Sequence, residues 1–210
     1  MDNLFKVPVA GEIIEDITAD RIIGSRLLGS VDEIIAELNF RNKFTESCGF
    51  VFWTRSSMDE LAALIKDDKW LEVMSGTGYL GNTMNSVYHS NIIMSDDKSW
   101  NKGAWADDDI YKNIEKLDAL DAIDKYHDEV KGVIMSWPPY GDPIATKILE
   151  RCTEYKLPIL YIGEYEGGCT ADDEFFESLD DDKYSGEFEI IPSLRQFPGI
   201  NDSAMLITMK

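Results

Sequence analysis

Basic residues are scarce in this 210-residue chain: 20 Lys and Arg stand against 40 Asp and Glu, for a formal charge of -20. Such a field repels phosphate backbones and anionic lipid, so nucleic acid is a disfavoured partner unless a locally basic groove forms. Solubility alone is the simpler reason for the acidity. Cysteine is rare as well. Cys48, Cys152 and Cys169 are odd in number, widely spaced and form no C-x-x-C pair, which argues against a disulfide framework and against a zinc site. His89 and His127 are the 2 histidines, neither with a ligand-type neighbour at useful spacing, so both read as structural and no metal is expected. Long apolar runs are missing. No stretch approaches the roughly 20 residues of a membrane span, and "MDNLFKVPVAGEII" lacks a basic region followed by an apolar core. The expectation is a cytoplasmic protein with no membrane partner. Repeats and low-complexity tracts are absent too, apart from short acid runs at 107–109 and 180–182.

What is present is enough apolar (44%) and aromatic (11%) content to bury a sizeable core. The simplest organisation is one domain with an N-terminal appendage: a helical extension over 1–66 and the main domain over 67–210. The pivotal stretch is "WLEVMSGTGYLG", residues 70–81. An apolar run carrying one acid, Glu72, breaks into a turn holding Gly76, Gly78 and Gly81, and a helix-compatible segment follows. Strand, glycine turn and helix open a nucleotide site, because glycines admit the ligand to the backbone and the helix N-terminus presents unpaired N–H groups.

Around that pivot, helices and strands alternate. Ser30 and Glu33 make a capping box before "VDEIIAELNF", whose Ile34, Ile35 and Leu38 share a helical face. Ser57 and Glu60 repeat the box before a second helix. Beyond the turn, "SNIIMSDD" is a short apolar run ending in two acids, and a helical segment is expected around 108–115. Asp118 and Ala119 would follow a third strand, with a helix from near Leu120. "GVIMSWPPYGDP" gives a fourth strand stopping at a proline pair, then a helix with Pro143 in its first turn. A fifth strand leads through "GEYEGGC" to a helix capped by Thr170 with Asp173 three residues on. "GEFEIIPSL" and "AMLITMK" close the sheet as two strands antiparallel to each other. The fold expected is α/β, a mostly parallel seven-stranded sheet with flanking helices.

"GTGYLG" satisfies G-x-G-x-x-G, with Asp96 about 20 residues further on, as a dinucleotide site requires. Glu72 inside the strand and "SWPPY" at the end of the fourth strand point instead to another cofactor. Both occupy positions where class I methyltransferases carry an acid and a proline-pair, aromatic motif. From about Phe44 to Met209 the chain resembles a family of class I S-adenosylmethionine-dependent methyltransferase-like proteins, through "VFWTRSSMDELAAL", "LEVMSGTGYLG", "IMSWPPYGDPIA" and "YIGEYEGGCTADDEFF". The resemblance implies a Rossmann-like methyltransferase fold with S-adenosyl-L-methionine as cofactor. Carried over by position, Glu72, Ser75, Gly76, Thr77 and Gly78 form the turn beside its methionine part. Asp96 or Asp97 would accept from the ribose hydroxyls, since a carboxylate can serve two donors at once. Asp118 would face the adenine amino group and Ala119 N–H a ring nitrogen, while Ser136 and Trp137 line the floor beside the methyl group.

For the acceptor, Pro138, Pro139 and Tyr140 form the wall implied, Trp137 and Tyr140 being able to stack a planar or cationic substrate or simply to pack the turn. Glu164 and Glu166 can bind an amine or take a proton, or can be solvated or capping residues. Cys169 is a thiol contact or a buried small hydrophobe. Asp172, Asp173 and Glu174 lie in a helix's first turn, where the macrodipole accounts for them. Two positions depart from the family pattern. Met74 stands where a glycine is expected, and Trp137 where an amino-methylating enzyme carries an oxygen acceptor, which Trp cannot supply. Three functions follow: a methyltransferase acting on a small molecule or a basic protein segment; a methyltransferase-like binding or regulatory protein without transfer; and an NAD-dependent oxidoreductase.

Overall fold

The computed structural model describes residues 4–99, 113–165 and 168–210. Strand β1 (Lys69–Val73) is covered on both sides, with Trp70 turned to one core and Leu71 and Val73 to the other, as a central parallel strand must be. Its neighbours β2 (Asn91–Asp96) and β4 (Gly132–Ser136) both run parallel to it. Outside them lie β3 (Ile114–Lys116) and β5 (Ile159–Glu164), again parallel. At the other edge β7 (Asp202–Met209) runs antiparallel between β5 and β6 (Tyr184–Glu187). The 7-stranded order is β3-β2-β1-β4-β5-β7-β6. The sheet is thus α/β and parallel through β5, but the expectation of a mostly parallel sheet is only partly right, because both pairings of β7 are antiparallel. No described helix lies between β6 and β7, and a helix-free connection favours antiparallel pairing.

Register places Leu71, Val133 and Ile159 in one row and Glu72, Ile134 and Leu160 in the next. The first row is buried by α5 (Ala119–Tyr126), α6 (Ile144–Tyr155) and α7 (Asp173–Ser178). The opposite face is buried by α1 (Asp16–Leu28), α2 (Val31–Cys48), α3 (Arg55–Ile65) and α4 (Tyr79–Val87). The helices of the N-terminal segment therefore share one continuous core with the sheet.

Several local expectations change. Ser30 N–H donates to Glu33 at 2.8 Å, so that capping box forms. The inward face of α2, however, is Glu37, Phe40, Phe44 and Cys48, while Ile35 and Leu38 are 50% and 37% exposed. Four aromatic rings, Phe40, Phe44, Phe52 and Phe197, pack against one another, and that contact sets the helix's rotation. Helix α3 begins at Arg55, two residues before Ser57, and Glu60 accepts from Ser193 N–H and Oγ instead of capping. Residues 114 and 115 belong to a strand and Asn113 to the turn before it; residues 108–112 of the expected helix lie outside the described residues. Thr170 does not cap α7, whose first flanking residue is Asp172; its Oγ1 donates to the Glu164 carbonyl at 2.7 Å. His127 stacks on Tyr155 at 3.9 Å. Among the described residues no helix is long and apolar enough to cross a membrane.

Candidate functional site

The carboxyl ends of β1, β2 and β4 open into a cavity of about 610 Å³, a size that small-molecule sites have. Open parallel sheets bind ligands at these strand ends because the loops leaving adjacent strands part there. Strand β1 and its turn contribute Glu72, Ser75, Gly76 and Thr77; β2 contributes Asp96 and Asp97. The start of α5 brings Asp118 and Ala119, and the end of β4 brings Ser136, Trp137 and Pro139. The α2–α3 turn, with Cys48, Gly49 and Phe50, forms the remaining wall.

The glycine turn is sewn to β2. Ser75 N–H and Oγ both donate to the Ser95 carbonyl at 3.0 Å, and Gly76 N–H donates to Asp96 at 2.8 Å. The second Asp96 oxygen accepts from Lys98 N–H at 2.7 Å. Gly81 is required by close packing, since a Cβ there would lie 2.5 Å from Met94 Sδ and 2.6 Å from a Glu72 oxygen. That intimacy delivers Gly81 N–H to Glu72 at 3.1 Å. Glu72 is 3% exposed, and burial pushes its carboxyl up to about 8; the Gly81 N–H opposes the shift and the Asp96 charge adds to it. Gly78 does not line the cavity: at φ +69° its missing Cβ faces Ile114, 2.7 Å away. Its role here is to let α4 approach β3.

The acceptor candidates disperse. Pro138, Tyr140, Glu164 and Cys169 do not line the cavity. Tyr140 is 69% exposed and Cys169 is exposed, so neither is a packing residue. The Pro138 carbonyl accepts from Ala171 N–H at 3.0 Å. Glu164 is buried and accepts from Cys169 N–H at 2.7 Å and Asn201 N–H at 3.0 Å, which makes it a tie between two loops. Glu166 lies outside the described residues.

Trp137, which the sequence did single out, stands with two residues it did not, Phe50 and Asp202. Trp137, at φ +49°, donates its backbone N–H to Ile162 and its Nε1–H to Asp202, each at 2.8 Å. Its ring stacks on Phe50, centroids 4.7 Å apart and planes 12° from parallel. Asp202 is buried, and its second oxygen has no hydrogen-bond partner. Burial pushes its carboxyl up to about 7, Trp137 draws it down, and Glu164, opposite it across β5 and β7, pushes it up again. Met74, at φ +52°, also lines the cavity. A polar residue opening the apolar strand "DSAMLITM" was the sequence signal for Asp202; nothing local marked Phe50.

No family model matches the chain, and no curated protein matches it. Solved structures do. A putative O-methyltransferase from Klebsiella pneumoniae aligns with a TM-score of 0.50 at 10% identity, over 89% of this chain and 94% of that one. A putative caffeoyl-CoA O-methyltransferase from Staphylococcus aureus gives 0.49 at 13%, over 92% and 100%. The B. subtilis M1A22 tRNA methyltransferase TrmK gives 0.48 at 12%, over 74% of this chain, which spans only 66% of the length of TrmK. The fold is the α/β, Rossmann-like one. At these identities the likeness is one of fold alone.

Chemically, the cavity offers carboxylates for hydroxyl and amino donors. Asp118 Oδ1 accepts from Leu120 N–H at 2.9 Å, and a carboxylate oxygen can accept from a ligand donor besides. Among the described residues, no group of three or more His, Cys, Asp and Glu is placed to hold a metal ion.

Proposed function

We propose that this protein is an S-adenosylmethionine-dependent methyltransferase acting on a small molecule or a basic protein segment. The observation that carries the reading is the convergence of Glu72, Asp96, Asp118 and Trp137, from four different elements, on a single cavity. A nucleoside cofactor needs that arrangement, with hydroxyl acceptors at one strand end and an amino acceptor at the next. The residues present fit it. Asp96, with Asp97 beside it, would hold the ribose hydroxyls; Asp118 and Ala119 N–H, the adenine edge; Ser75, Gly76 and Thr77, the methionine part. Their carboxylates also suit the ligand's positive charge.

When bound, the cofactor supplies a methyl group on sulfonium sulfur, which keeps the C–S electron pair as the acceptor's lone pair forms the new bond. Because that carbon is already activated, the chain's own contribution is positioning, with a base required only where the acceptor must shed a proton. Ser136 and Trp137, at the end of β4, would orient the acceptor.

A second reading, a binding or regulatory module without transfer, draws support from Met74 and Trp137. Both hold left-handed backbone at the strand ends where the family pattern has other residues. Calorimetric titration with S-adenosylmethionine, S-adenosylhomocysteine and NAD tests the proposal. Binding of the first two alone is expected, followed by release of S-adenosylhomocysteine when an acceptor is supplied. Binding of NAD alone would replace the proposal with an oxidoreductase, and silence with all three would leave neither enzyme.

A further inference from the structure

Phe50 is 53% exposed between Cys48 and Val51, which are buried at 6% and 2%. The backbone on either side is anchored in the core, and this one ring is left outside it, lying on Trp137 over the cavity. Trp137 is the fixed partner. Its backbone N–H and its Nε1–H each tie it down, the second through Asp202 on β7. The two rings are in contact, so a flat molecule fits between them only after Phe50 turns aside to open the gap to about 7 Å, twice an ordinary contact distance. The flat guest then restores one ring face to each aromatic, so that the stacking energy is exchanged rather than lost.

The charge of the cavity selects what that guest can be. Glu46, Asp97, Asp118 and Asp142 all line it, and among the described residues no Lys, Arg or His does. A phosphate or carboxylate entering would meet like charge with no counter-charge among the described residues; a cation would meet attraction from the acids and from both ring faces.

We propose that Phe50 and Trp137 form the acceptor subsite, and that the acceptor is a planar nitrogen compound, cationic or the neutral base of such a cation, and not an anion. This rests on the cofactor reading above, since the subsite is assigned to the acceptor only if the nucleoside lies at the Asp96 end.

Three probes of similar reach decide it: N-methylquinolinium, planar and cationic; 2-naphthoate, planar and anionic; and tetramethylammonium, cationic without a ring. With S-adenosylhomocysteine present at saturation, N-methylquinolinium should bind about tenfold tighter than either of the others. Phe50→Ala should weaken it by about the same factor while S-adenosylhomocysteine affinity stays within about twofold, and Phe50→Tyr should restore it. Equal or tighter binding of 2-naphthoate overturns the charge assignment, and N-methylquinolinium binding unaltered in Phe50→Ala overturns the subsite. Should S-adenosylhomocysteine fail to bind while N-methylquinolinium still depends on Phe50, the aromatic site stands and the cofactor reading falls. The converse result removes the subsite and leaves the cofactor reading intact.

Discussion

The two ends of the cavity are built by different rules. The Asp96 end is local: the turn after β1, the acids ending β2 and the first residues of α5 follow one another along the chain, and backbone hydrogen bonds hold them. The Trp137 end is assembled at a distance. Phe50 comes from the α2–α3 turn, Trp137 from β4, and Asp202 from the start of β7, 65 residues beyond its hydrogen-bond partner. The first end belongs to the sheet itself; the second depends on how helices and edge strands dock onto it. A family can keep one while remaking the other, so the fold can persist while the acceptor changes.

Substitutions on either side of that boundary should separate the two ends. The largest effect is expected at Gly81, where valine would drive α4 off β1 and β2. Gly81→Val should cost about 3 kcal/mol or more of stability and abolish S-adenosylhomocysteine binding, as measured by urea unfolding and calorimetry. A stable variant with intact binding would mean that α4 has another way to pack.

At the distant end, Asp202 supplies a pH signature. Its folded carboxyl titrates near 7 instead of near its ordinary 3.8. The native state therefore holds a proton that the unfolded chain has released, and stability is full below about 4 and falls as pH rises toward 7. Asp202→Asn should remove about 3 kcal/mol of that fall, read as the difference between mutant and wild-type unfolding free energies in urea at pH 4.5 and 7.5. A difference that does not grow with pH would show that Asp202 is ionised throughout. Glu72, raised to about 8, shifts stability in the same direction at the other end.

The smallest effect is expected at Met74, where the ends meet. Its left-handed φ of 52° strains any side chain with a Cβ, so Met74→Gly should gain about 1 kcal/mol in thermal unfolding. It should also tighten S-adenosylhomocysteine binding by clearing the cavity wall. Weaker binding would instead make the Met74 side chain a ligand contact.

What the sequence disclosed follows the same division. Alternating apolar runs, the glycine turn and acids at successive strand ends are patterns within a few residues, and the topology of a wound sheet then brings them together. Antiparallel β7 was legible only against β6, because its other neighbour, β5, is set by tertiary packing. Glu164 looked like a site residue, yet it is consumed by the N–H groups of Cys169 and Asn201, a backbone demand that no side-chain pattern reveals. Likewise Ile35 and Leu38 face outward on α2 while Glu37 turns inward. There the aromatic cluster around Phe40 and Phe44 outweighs helical periodicity. Phe50 was invisible, and Asp202 was marked only by its place at the head of an apolar strand, because their roles exist only through Trp137.

A crystal structure of the protein with S-adenosylhomocysteine tests the central claim most directly. The account predicts the ribose hydroxyls on Asp96, the adenine against Asp118 and Ala119, and the sulfur directed toward Ser136 and Trp137. A nucleoside bound elsewhere, or a cavity that stays empty at saturating ligand, would contradict it.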